Sequence, residues 1–187
     1  MIGYAICGSF CTMGRSLSVM SALCDMGYEL QPIMSECAYS TDTRFQLAEE
    51  YRRKVREISG RDIIHTVKDA EPLGPARPLD ALIIAPCTGN TLAKIRHGIT
   101  DTAVTMATKA HLRQDRPLLI ALASNDAMSQ NLGSIGALLT RKSTFLVPMR
   151  QDDTKGKPYS LVADLDLIPE ALALAMRGEQ MRPLFLV

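Results

Sequence analysis

Short apolar runs alternate with amphipathic stretches from one end of this chain to the other, the pattern that parallel strands joined by crossover helices produce. Six runs read as strands: "IGYAIC" (2 to 7), "LQPIMS" (30 to 35), "DIIHTV" (62 to 67), "ALIIAP" (81 to 86), "PLLIALA" (117 to 123) and "TFLVP" (144 to 148). Several are apolar on both faces, as strands covered by helices on each side must be, because neither face meets water. Helices are expected over residues 13 to 26, 43 to 59, 90 to 97, 101 to 114, 127 to 141 and 164 to 177. In the first, Leu17, Met20, Leu23 and Cys24 share one face at spacings of three and four. Asp164 stands where a cap would open the last helix, and Gly178 lies just past its end. Two stretches break the pattern. "AEPLGPARPLD" (70 to 80) is too rich in proline for a regular element and reads as an extended connection, and "MRQDDTKGKPYS" (149 to 160) reads as irregular. No repeat or linker divides the chain, so residues 1 to 187 read as one α/β domain: a three-layer sandwich of about six parallel strands with helices on both faces.

Lys and Arg exceed Asp and Glu by one, so the chain carries no field that would recruit nucleic acid or an anionic membrane. The opening "MIGYAICGSF" has neither a basic leader nor a small-residue cleavage pattern, and no run approaches a membrane span, so a cytoplasmic protein is expected. Five cysteines, Cys7, Cys11, Cys24, Cys37 and Cys87, lack the paired spacing of a zinc site and read as small packing residues. Of the three histidines, His65 falls in an apolar strand, His97 at a helix end before Gly98, and His111 on what reads as an exposed helix face. None has an acidic or thiol partner at metal spacing, so no metal is expected. The tail "MRPLFLV" is apolar, and either an intersubunit contact or packing on its own domain would explain it.

In an open parallel sheet, ligands settle outside the carboxyl ends of the strands. Here those ends read "GSFCT", "SECAYSTDTR", "PCTGNT", "SNDAMSQN" and "PMRQDD", all polar behind apolar strands. Each cluster alone is what helix caps require; five on one edge point to a small-molecule site. "GSFCT" lacks the G-x-G-x-x-G spacing that brings a dinucleotide pyrophosphate to a helix. Thr88, Asn90 and Thr91 instead offer hydroxyl and amide groups beside a helix N-terminus, which suits one phosphate plus a polar ring edge and favours a mononucleotide.

"PCTGNTLAKIRHG" resembles the P-x-S-x-N-T signature of the homo-oligomeric flavin-containing cysteine decarboxylase superfamily, with Pro86, Asn90 and Thr91 matching and Thr88 in place of Ser. "GSFCT" occupies the position of that superfamily's flavin-phosphate turn. The resemblance implies a Rossmann-like sheet with FMN at its carboxyl edge, commonly at a contact between subunits of a trimer or dodecamer. Within the superfamily, "TDTRF", "AEPLGP", "IAPCTGN", "RPLLIALASNDAM" and "VPMRQDD…KP" are similar to the B-subunit family of dipicolinate synthases from spore-forming bacteria, over nearly the whole chain. That likeness implies action in the sporulating mother cell with a separate A subunit, forming dipicolinate from a dihydrodipicolinate-type intermediate. Two sister activities are argued against. The stretch after the second strand has no counterpart of the decarboxylases' catalytic His, and Ser124, Asn125 and Met106 stand where flavin prenyltransferases carry Glu and Arg.

On this resemblance, Gly8, Ser9 and Thr12 form the phosphate turn, and Pro86, Thr88, Gly89, Asn90 and Thr91 contact the phosphate or ribityl chain. Ser35 and Ser124 are further cofactor candidates at neighbouring strand ends. A dicarboxylate substrate needs cationic or amide donors; Arg44, whose fork holds a carboxylate bidentately, and Asn125 are the candidates. No general base is assigned. Two uses stay open: a flavin-dependent oxidoreductase subunit, or a flavin-holding scaffold for a catalytic partner.

Overall fold

The computed structural model describes residues 1–187. Five parallel strands form the body of the sheet: β1 (Ile2–Ile6), β2 (Leu30–Met34), β3 (Ala81–Cys87), β4 (Leu118–Ser124) and β5 (Thr144–Leu146), in the order β2-β1-β3-β4-β5. Every residue of β1 and β3 is buried, as the apolar runs require. One helical layer is built from α1 (Phe10–Asp25), α3 (Ala48–Ser59) and α8 (Ile168–Ala175), and the other from α4 (Val67–Ala70), α5 (Gly89–His97), α6 (Ala103–Leu112) and α7 (Leu132–Leu139). A short α2 (Glu36–Ser40) follows β2.

Two short strands extend the sheet beyond the expected set. β6 (Met149–Arg150) and β7 (Leu161–Ala163) pair antiparallel, and β7 pairs antiparallel with the last two residues of β4. β4 therefore changes partner along its length, with β5 beside its first half and β7 beside its carboxyl end. This hairpin lies inside the stretch read as irregular; strands of two and three residues carry too little alternation to register as a pattern.

Several other expectations are corrected. Residues 62 to 67 are no strand: Ile64 makes one parallel bridge to Ile33, and the Thr66 hydroxyl then caps α4 by accepting the Asp69 N–H. The segment 70 to 80 is not extended; it contains a 3-10 turn (Glu71–Leu73) and buries Leu73 and Leu79. The helix expected over 43 to 59 starts only at Ala48, because Asp42 Oδ1 accepts the Ala48 N–H at 2.8 Å and Thr43 Oγ1 accepts from Phe45 and Gln46. Residues 127 to 131 are turn rather than helix, and residues 165 to 167 are a 3-10 turn before α8. His111 is fully buried rather than exposed, and Cys11 and Cys37 are exposed rather than packed. The tail lies on its own sheet: the N–H of Met149 donates to the Leu184 carbonyl at 2.9 Å, and that of Leu186 to the Met149 carbonyl at 2.8 Å.

The rim that matters is shaped by Pro86. A proline lacks an N–H, so the β3–β4 ladder cannot run through it, and the register slips by one residue between Ile84 and Cys87. The Ala85 carbonyl accepts the Ser16 hydroxyl at 2.6 Å, and Ser16 meets the Tyr4 hydroxyl at 3.0 Å. A fully buried polar contact thus locks α1 to the two central strands just below the points where both turn outward.

Candidate functional site

The carboxyl ends of β1, β3 and β4 open into a cavity of about 600 Å³, of the size that holds a nucleotide-sized ligand. It gathers Gly8, Ser9, Thr12, Arg44, Thr88, Gly89, Asn90, Ser124 and Asn125, residues expected from four separate strand ends. Ser35, Pro86 and Thr91 sit behind this wall. Ser35 caps α2 by accepting the Ala38 N–H, Pro86 is buried in β3, and Thr91 is buried beneath Thr88. Cys7 and Cys87 lie under the same rim, where burial pushes the Cys7 thiol up to about 11 and the Cys87 thiol well above its ordinary range, so both are inert thiols.

Two helix N-termini face the cavity, and they differ. At α5 the Thr88 hydroxyl accepts the Thr91 N–H at 3.2 Å, which caps the helix. Beside it stands a network: Ser124 Oγ donates to Asp126 Oδ1, and Asn131 Nδ2 reaches both Asp126 oxygens at 3.0 Å. The network packs where a Gly89 side chain would be, so the glycine lets these polar groups reach the helix start. A carboxylate there complements the helix dipole and repels a second anion. At α1 no side chain caps the helix, and no carboxylate stands in its first turn. Ser9 and Thr12 place two hydroxyls there, with Thr12 Oγ1 donating to the Ser9 carbonyl at 2.9 Å, and a Cβ on Gly8 would meet Cys37 Sγ at 2.9 Å. Of the two, the α1 turn is the one whose chemistry fits a phosphate.

Lining residues that sequence reasoning did not select include three polar ones from the β6–β7 connection: Asp152, Lys157 and Ser160. That connection is held by Asp153, whose Oδ1 accepts the Gly156 N–H at 2.8 Å, and it is tied to the β4–α7 turn by Met128 N–H donating to the Tyr159 carbonyl at 2.9 Å. The signal was present in "MRQDD…KP", but without the hairpin nothing placed it over the cavity. Lys157 Nζ pairs with Asp152 at 2.9 Å. The Ser160 hydroxyl and then the Lys157 ammonium hold the Asp152 carboxyl below its usual range. Phe10, Cys11, Phe45, Ala123, Asp126 and Val162 complete the lining residues that were not foreseen.

A doubly wound sheet with a cavity at its carboxyl rim is an architecture shared by many nucleotide-binding proteins, and the Flavoprotein family matches residues 1–168. The chain belongs to that family. It is 37% identical over 183 residues to the B subunit of dipicolinate synthase of Bacillus subtilis (strain 168), covering 98% of this chain and 92% of the relative. The crystal structure of the dipicolinate synthase B subunit from Bacillus halodurans C superimposes with a TM-score of 0.91 at 35% identity, covering 100% of this chain and 95% of the other. The FMN-dependent cysteine decarboxylase SpaF shares the fold, with a TM-score of 0.70 at 22% identity over 93% of this chain and 95% of its own. No helix is long and apolar enough to cross a membrane.

Proposed function

We propose that residues 1 to 187 act as one flavoprotein domain, an FMN-binding subunit that works with a separate A subunit to form dipicolinate from a dihydrodipicolinate-type intermediate. The observation that carries the reading is the convergence of four strand ends on one cavity beside the uncapped start of α1. The likeness to two dipicolinate synthase B subunits supports the partner and the reaction class. Gly8, Ser9 and Thr12 would hold the phosphate; Asn90, exposed and outside the Thr88 cap, would meet the ribityl chain or ring. Ser124 spends its hydroxyl proton on Asp126, so toward a ligand its oxygen accepts rather than donates. Aromatising a dihydropyridine ring removes a hydride and a proton, and a bound flavin supplies the hydride acceptor. Arg44 and Asn125 would orient the substrate carboxylates at the same cavity. A homo-oligomer belongs to this reading, supported by the exposed apolar side chains of Phe45, Leu47, Leu132 and Tyr159.

One observation favours a second reading, a flavin-holding subunit whose partner performs the chemistry: no histidine lines the cavity, and both of its carboxylates, Asp126 and Asp152, are already engaged. Mass spectrometry of the small molecule released on denaturation tests the cofactor, and FMN is expected. Anaerobic addition of the dihydro substrate separates the two readings. Bleaching of the flavin band supports the oxidoreductase, and an unbleached band with a competent partner present supports the scaffold.

A further inference from the structure

Two cations line the cavity, and they reach it from opposite ends of the sheet. Arg44 comes from the loop after α2 on the β2 side, and Lys157 from the β6–β7 connection on the other. Arg44 has no carboxylate partner; its guanidinium lies over the Phe45 ring, 4.9 Å from the centroid, as a planar fork at the cavity wall. Lys157 is paired, but with Asp152, a residue of the same short connection that also lines the cavity. The connection is stiffened by its own bonds, with the Lys157 N–H donating to the Asp153 carbonyl at 2.9 Å and Gln151 Nε2 to the Pro158 carbonyl at 2.9 Å. The backbone that carries Lys157 is therefore held in place, and the group its ammonium already meets there is a carboxylate.

We infer that Lys157 Nζ is the second carboxylate subsite of a dicarboxylate-binding cavity, opposite Arg44, and that Asp152 competes for it when no substrate is bound. This deepens the proposed function and rests on it. A ring bearing two carboxylates would be read at both ends, by a fork at Arg44 and a point charge at Lys157, whereas a monocarboxylate would satisfy only one. Asp152 opposes the ligand by occupying the ammonium and by like-charge repulsion. Its removal therefore has a sign opposite to that of removing Lys157.

The test uses FMN-loaded full chain and two probes, pyridine-2,6-dicarboxylate and pyridine-2-carboxylate, with affinities read by calorimetry and by perturbation of the flavin absorbance. Lys157→Gln is expected to weaken the dicarboxylate about tenfold while leaving the monocarboxylate nearly unchanged. Lys157→Arg should retain most of the dicarboxylate affinity. Asp152→Asn should tighten the dicarboxylate roughly two- to fivefold, the range of a half-exposed ion pair. Bound FMN content serves as the check that each variant is folded. If Asp152→Asn weakens the dicarboxylate as Lys157→Gln does, the pair is a structural strut and the subsite is overturned. The same follows if Lys157→Gln weakens both probes equally or neither. If wild-type protein holds FMN yet binds neither probe, the dipicolinate reading itself fails.

Discussion

Replacing Gly89 by alanine puts a Cβ 2.5 Å from the Ser124 hydroxyl, 2.6 Å from Asn131 Nδ2 and 2.8 Å from Asp126 Oδ1, all closer than a real Cβ tolerates. The three groups cannot each retreat, because they are bonded to one another. Overpacking of this kind costs about 1–3 kcal/mol. If Asn131 is pushed off the carboxylate, a charge-assisted bond worth about 1.5–3 kcal/mol goes as well. Alanine returns at most about 1 kcal/mol of helix propensity, and less at a first helical position. The expected net loss is about 1–5 kcal/mol, measured by urea denaturation, and each kcal/mol should lower the melting midpoint by about 2–4 °C. Flavin affinity, followed by fluorescence quenching, should fall in parallel, since two of the displaced groups, Ser124 and Asp126, line the cavity. The Ser124→Ala background removes the nearest obstacle, so the double variant should be less destabilised than the sum of the singles. A neutral Gly89→Ala, or additivity within about 0.5 kcal/mol, would refute the steric account.

Ser16→Ala strands the Ala85 carbonyl and removes one partner of Tyr4 in a fully buried place, and is expected to cost about 1–3 kcal/mol in denaturant unfolding, less a few tenths for helix propensity. His111 donates from Nε2 to the Pro117 carbonyl at 2.8 Å and has an unpartnered Nδ1, so burial holds it neutral and lowers its pKa from the ordinary 6.5. The unfolded chain therefore binds the extra proton first, and stability is lost as pH falls below 6.5; His111→Gln should flatten that part of the denaturation profile relative to wild type. Deleting residues 181 to 187 breaks the two backbone bonds to Met149 and should lower stability by about 1–2 kcal/mol. Light scattering on the same truncation should show an unchanged mass, and dissociation would mean that the tail also serves an interface.

The central strands were legible because burial on both faces demands an unbroken apolar run, and β1, β3 and β4 fall where "IGYAIC", "ALIIAP" and "PLLIALA" predict. The polar strand ends were legible for a related reason: an apolar strand that stops at Gly8, Thr88 or Ser124 must release its chain at the rim, whatever neighbours it finds. Local chemistry also set the Gly98 and Gly178 helix ends, both left-handed. Tertiary structure alone decided which rims meet and what reaches over them. β6 and β7 exist only because the end of β4 lends them an edge, and the hairpin they form carries Asp152 and Lys157 into a cavity whose other cation, Arg44, lies more than a hundred residues away in the chain. The same holds for His111, whose polar neighbours in sequence suggested water but whose face of α6 is covered by the turn before β4. Backbone preference and burial pattern act over a few residues and are written locally, whereas the pairing of charges across a cavity depends on strand order, which no short window contains.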